Sequence, residues 1–181
     1  MTGRWFPAGQ NFRGLKPVNP TNIFRWIHIL AGAAWLGEVV VVSFILIPVL
    51  VRLEREKRGW FMAAIFPRIF RLASILSLTV ILAGAALNLS LSNWQLDLAF
   101  TRLTTTRWGW SILIGGLLGL GLMLFHFFIE HRLEPHVLAE HDAMDDEVFA
   151  HVARRLRIIP RVGLAVLILI FALMMFASRG L

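Results

Sequence analysis

The sequence predicts an all-α integral membrane protein, a four-helix bundle with an amphipathic interfacial helix between the third and fourth spans. Three observations carry that prediction. Hydrophobic residues fill 57% of the 181 positions, and the mean hydropathy is +0.71, more than a soluble domain of this length accommodates. Four apolar runs each reach or exceed the roughly 20 residues that cross a hydrocarbon core about 30 Å thick. The charged residues, 16% of the chain, collect between those runs and at their ends.

Residues 1–21 read as a basic tail. Arg4, Arg13 and Lys16 stand among prolines with no apolar h-region, so a signal peptide is not expected. The membrane domain is expected over 22–178. Its first two spans, about 22–50 and 61–92, exceed the bilayer thickness, so they tilt or project into the headgroups. The third and fourth, about 108–130 and 159–178, fit it more closely. Trp26, Trp94, Trp108 and Trp110 gather at one expected boundary and Trp60 at the other, as amphipathic indoles do.

The connection after the third span has its own pattern. Pro135 closes the span; Asp145, Asp146 and Glu147 then precede Arg154, Arg155 and Arg157, an order that complements a helix dipole. Met144, Val148, Val152 and Leu156 recur every four residues, which predicts an interfacial helix over 139–157 capping the bundle.

The net charge of +7 would suit nucleic acid, but its distribution points to topology. Eleven of the 18 Lys and Arg residues lie in or beside the 52–71 and 131–161 connections, and seven lie on the other side. The positive-inside rule then places both termini outside a bacterial-type cytoplasmic membrane. No cysteine is present, which excludes disulfides, thiolate iron–sulfur ligation and cysteine copper sites. Nucleotide loops, serine-nucleophile patterns, metalloprotease motifs and nucleic-acid modules are also missing from the sequence.

The informative residues are polar ones inside apolar spans, because hydrocarbon penalises them by roughly 2.5–3.5 kcal/mol. The run Trp26-Ile-His28-Ile-Leu-Ala-Gly-Ala-Ala-Trp35-Leu-Gly37-Glu38 holds two of them. His28 and His126 lie on opposite sides of the midplane, roughly 20 Å apart along the normal. They cannot share one metal, whose nitrogen ligands sit about 2 Å away. At the outer level Met174 and Met175 are candidates to pair with His28 on a b-type haem, with Arg107 near the propionates; both methionines equally suit packing. At the inner level His126, Glu130 and Glu134 recur at four-residue spacing, a candidate metal or haem-pocket face. Glu38, near the midplane, and Arg71, on the antiparallel second span, are at depths that allow a buried ion pair.

The motif from Trp26 through His28 and Trp35 to Gly37 resembles the first helix of the HemJ-type membrane protoporphyrinogen oxidases and of the related copper-resistance protein D family. Arg71-Leu72, Gly109-Trp110, Leu124-Phe125-His126-Phe127 and Arg132-Leu133 are similar to those families' later helices. The resemblance covers roughly 22–178. It implies a bundle, often oligomeric, that binds haem b through the first-helix histidine. His28 is then the ligand candidate, Arg71 and Trp35 fall at the porphyrin site, and His126 is a shared position. The HemJ-type third helix carries a lysine where Ile114 and Gly115 stand here, so the chain is closer to the copper-resistance-D-like proteins than to the oxidase. The leading expectation is haem-b electron transfer, alone or as a subunit of a larger redox complex. The alternatives are copper handling through His28, His126, Met123, Met174 and Met175, and a cofactor-free accessory subunit packed through its glycines.

Overall fold

The first helix begins where Asn19 accepts a hydrogen bond on its side-chain oxygen from the Thr21 N–H at 3.0 Å, with Pro20 in the first turn. This cap satisfies one of the orphan donors, and a proline there has no N–H to lose. The computed structural model describes residues 19–132 and 146–178, and all the regular structure among them is helical. Helix α1 (Pro20–Val41) passes through a π-helical turn (Val42–Leu46) into α2 (Ile47–Arg52). The widened turn has a local cause. Pro48 supplies no N–H and its ring crowds the carbonyl of Phe44. The neighbouring Ile47 N–H reaches five residues back to Val42.

Helix α3 (Arg55–Leu91) returns across the bilayer. Its end is a Schellman motif: the Trp94 N–H bonds the Leu89 carbonyl at 2.8 Å and the Asn93 N–H bonds that of Ser90 at 3.3 Å. Asn93 and Trp94 both take positive φ there, 52° and 62°. Helix α4 (Leu96–Thr105) follows, then α5 (Arg107–Arg132), capped where the Thr106 hydroxyl accepts from the Gly109 N–H at 2.8 Å. Helix α6 (Asp146–Ser178) closes the described chain.

Helix α1 packs on α3 and α6, and α5 packs on the same two, so α1/α5 and α3/α6 are the diagonals of a square. Trp35, Ala73 and Leu167 meet at the centre with Leu122 of α5 against them, one layer built from all four long helices. A second cluster, Leu50, Met62 and Phe66, closes the end where α2 meets α3. The outward faces carry large apolar side chains such as Leu30, Ile75, Leu82 and Leu117, each more than half exposed. Water would not tolerate such surfaces on four helices, and lipid does. The continuous helical rods Pro20–Arg52, Arg55–Leu91, Arg107–His131 and Arg157–Ser178, of 33, 37, 25 and 22 residues, are long and apolar enough to cross. The chain is a multi-pass membrane protein with a four-helix bundle fold.

The described helices depart from the expected elements in two places. The connection between the second and third spans holds α4, which packs against the first turn of α5. The interfacial segment expected over 139–157 is, from Asp146 onward, continuous with the fourth span, because the helix accommodates Pro160 without breaking. The N-terminal tail through residue 18 and the stretch 139–145 lie outside the described residues.

Candidate functional site

His28 projects from α1 onto α3 and is half-buried. Its Nδ1 lies 2.9 Å from the Val80 carbonyl oxygen. A carbonyl only accepts, so Nδ1 carries the proton and donates, and in the neutral ring Nε2 keeps its lone pair. The ring edge rests on Gly84, where an added Cβ would stand 3.0 Å from Cε1 and 3.1 Å from Nδ1. This is the arrangement a metal-ligating histidine uses: one nitrogen tied to a backbone carbonyl, the other free to coordinate. That donor chemistry fits a residue that would hold a metal or haem iron.

The other expected participants are dispersed. Met174 sits in the α5–α6 seam, where its methyl would be 2.9 Å from a Cβ on Gly115, and Met175 is 55% exposed. His28 occupies the α1–α3 seam, so the structure does not bring either methionine to it. Trp35, two turns inward on the same face as His28, is only 3% exposed and fills the central layer. Arg107 is exposed at the start of α5, and Arg71 is exposed on α3.

That exposure removes the expected Glu38–Arg71 pair. Among the described residues the ion pair is Lys57–Glu54, at the surface beside the start of α3. Depth alone suggested Glu38 and Arg71 as partners. Helix phase decides otherwise, because the buried stripe of α3 runs through Ala73, Ser74 and Ser77 and leaves Arg71 outside. Glu38 Oε2 is buried without a hydrogen-bond partner.

A second polar group lies between α3 and α5. His126 Nε2 donates to the Phe70 carbonyl at 3.2 Å, and its ring stacks obliquely on Phe70, with centroids 5.6 Å apart. The Ser74 hydroxyl donates to Glu130, and Ser77 donates to the Ser74 carbonyl at 3.1 Å. The two histidines are thus fastened to carbonyls ten residues apart on α3, about 15 Å along its axis. They serve separate places. Among the described residues no three His, Asp or Glu side chains converge as a metal group.

Ser74, Val80 and Gly84 are the contributors that sequence reasoning did not assign. Gly84 was visible as a small residue, but nothing in the sequence tied it to the imidazole that rests on it.

Residues 30–135, more than half of the chain, match a family described as a domain of unknown function, DUF4149. The chain belongs to that family. It matches no curated protein and no solved structure. The matched segment begins two residues after His28 and takes in Glu38, Arg71, Ser74, His126 and Glu130.

Proposed function

We propose that this chain is a b-type haem-binding membrane protein serving electron transfer, alone or as a subunit of a larger redox complex, with His28 as the residue that would hold the iron. One observation carries the reading: an imidazole inside a span has Nδ1 fixed on the Val80 carbonyl and Nε2 uncommitted. Haem would supply one-electron chemistry, and its potential would follow from axial ligand and burial. Val80 would hold the imidazole in one tautomer, and Gly84 would set its distance from α3. The resemblance of the Trp26–Gly37 motif to haem-binding first helices supports the same assignment.

The test is an absorbance spectrum. Protein purified after haem-replete expression should show a Soret band, and His28→Ala should lose it. A colourless wild-type protein would remove the proposal.

The accessory-subunit reading has its own support, because the family match starts beyond His28. Gly37 is exposed with no atom within 4 Å of an added Cβ, and Ala33 is exposed one turn earlier. Small residues four apart on a lipid-facing surface are a common contact for a second helix, whether from another copy or another subunit. Copper handling finds less support, because His28, His126 and Met174 are spread over different seams. The proposed setting is a bacterial-type cytoplasmic membrane with both termini outside, supported by the excess of Lys and Arg on the 52–71 and 131–161 side.

A further inference from the structure

Glu38 is the most isolated acid in the described bundle. It lies 18 residues from Pro20 and 14 from Arg52, close to the middle of its rod. Its Oε2 is buried and accepts nothing. Among the described side chains, those on the elements packed against α1 bring no charge to it. On α3, Arg68 and Arg71 are exposed, and Arg68 donates to its own helix at the Ala64 carbonyl, 2.9 Å away. On α6, Arg157 and Arg161 are exposed near the inner end of the apolar stretch, and on α2 Arg52 is exposed at the helix terminus. Glu130 and His126 belong to α5, the diagonal partner of α1, and are engaged with Ser74 and Phe70.

A second observation falls on the same turn of chain. The π turn starts at Val42, whose N–H is shared between the carbonyls of Glu38 and Val39. Within that turn the Ser43 hydroxyl, 3% exposed, is also buried without a partner. Single π turns inside helices recur at functional sites. Here one follows directly on an acid whose hydrogen-bonding capacity is unspent.

A carboxylate in hydrocarbon needs a counter-cation or a proton, and the described neighbouring side chains offer no counter-cation. We propose that Glu38 is an intramembrane proton-binding site. In the exchange a hydronium ion gives its proton to the carboxylate, one O–H bond forms at Glu38 as one breaks on hydronium, and water leaves. No electron moves. The inference is independent of the haem reading, and a colourless protein would leave it standing.

The experiment is labelling of the full chain in native membrane vesicles with a hydrophobic carbodiimide. The reagent takes the proton of a neutral carboxyl, adds the carboxyl oxygen at its central carbon and rearranges to a stable N-acylurea. Peptide mapping should find the adduct on Glu38 and not on the exposed Glu54 and Asp97. Its rate should fall about tenfold per pH unit above the titration point and be indifferent to sodium. Glu130→Gln should keep the adduct and Glu38→Gln should lose it. Absence of the adduct from Glu38 in folded wild-type protein overturns the proposal. So does a pH-independent rate, and so does protection by sodium, which would mark a metal-cation site instead.

Discussion

An imidazole inside a span needs a partner for its N–H and room for its ring, and at His28 both come from α3. Val80 supplies the carbonyl at 2.9 Å, and Gly84 supplies the room. Replacing Gly84 by Ala puts a methyl 3.0 Å from the ring, too close for the ring to keep its place. Overpacking of this kind costs about 1–3 kcal/mol. Gly84→Ala should therefore lower the thermal midpoint in detergent and weaken whatever absorbance His28 supports. Gly116→Ala is the matched control, since nothing lies within 4 Å of its added Cβ, and it should stay within about 0.5 kcal/mol of wild type. Equal losses from both variants would show that the ring does not depend on Gly84. His28 itself was legible because hydrocarbon makes any imidazole conspicuous. Its partner was not, because every residue carries a carbonyl and no residue type announces the one that is used. Arg71 shows the complementary failure: position along the sequence gives depth in the membrane but not the side of the helix.

At the level of elements, the long helices were legible from composition, whereas α4 was hidden. Leu96, Leu98 and Phe100 are 75%, 43% and 67% exposed, and Ala99 at 4% is the buried member of the helix. Its apolar residues therefore do not mark a buried face, and ten residues rich in threonine give no span signal. Proline was the other source of difference. Pro48 stands just after a widened turn and Pro160 is absorbed without a break, and the sequence does not distinguish these outcomes because each proline removes the same N–H from an apolar run. What fixes α4 is contact with α5. A Cβ on Gly109 would run into the Arg102 carbonyl oxygen and stand 2.6 Å from that of Leu103, both backbone atoms. Arg102 reinforces the corner, stacking 4.4 Å from the Trp108 ring centroid and donating to the Leu91 carbonyl at 3.2 Å. No rotamer change relieves a backbone clash, so Gly109→Ala must separate the two helices. The expected loss is about 1–3 kcal/mol or more, with amide exchange in 96–105 accelerating before that of the spans. Unchanged protection of α4 would show that it does not rely on this contact.

On the scale of the molecule, the square of helices faces lipid with exposed aliphatic residues, and its charge distribution gives it a direction. The second rod runs from a charged end, with Arg55, Glu56 and Lys57 exposed, into an apolar stretch that ends at Leu91. The fourth brings exposed Arg154, Arg157 and Arg161 to its inner end before its own apolar stretch. With helices α3 and α6 both diagonal and co-directional in the square, these cationic residues fall toward the same end of the bundle on opposite corners. Cationic side chains at that end resist translocation, which supports the proposed placement of that end on the cytoplasmic side. The sequence supplied this asymmetry, eleven Lys and Arg against seven, but the basic N-terminal tail pulls the other way. Orientation is therefore worth measuring directly, and the chain is well suited to it because it has no cysteine of its own. Single cysteines at two exposed positions, Ser178→Cys at the end of α6 and Glu56→Cys at the start of α3, report opposite faces. In intact cells a membrane-impermeant maleimide should label the cysteine at 178 and spare the one at 56 until the membrane is opened. The reverse pattern would invert the molecule and move His28 from the outer half of the bilayer to the inner half, where the proposed haem would exchange electrons with cytoplasmic rather than external partners.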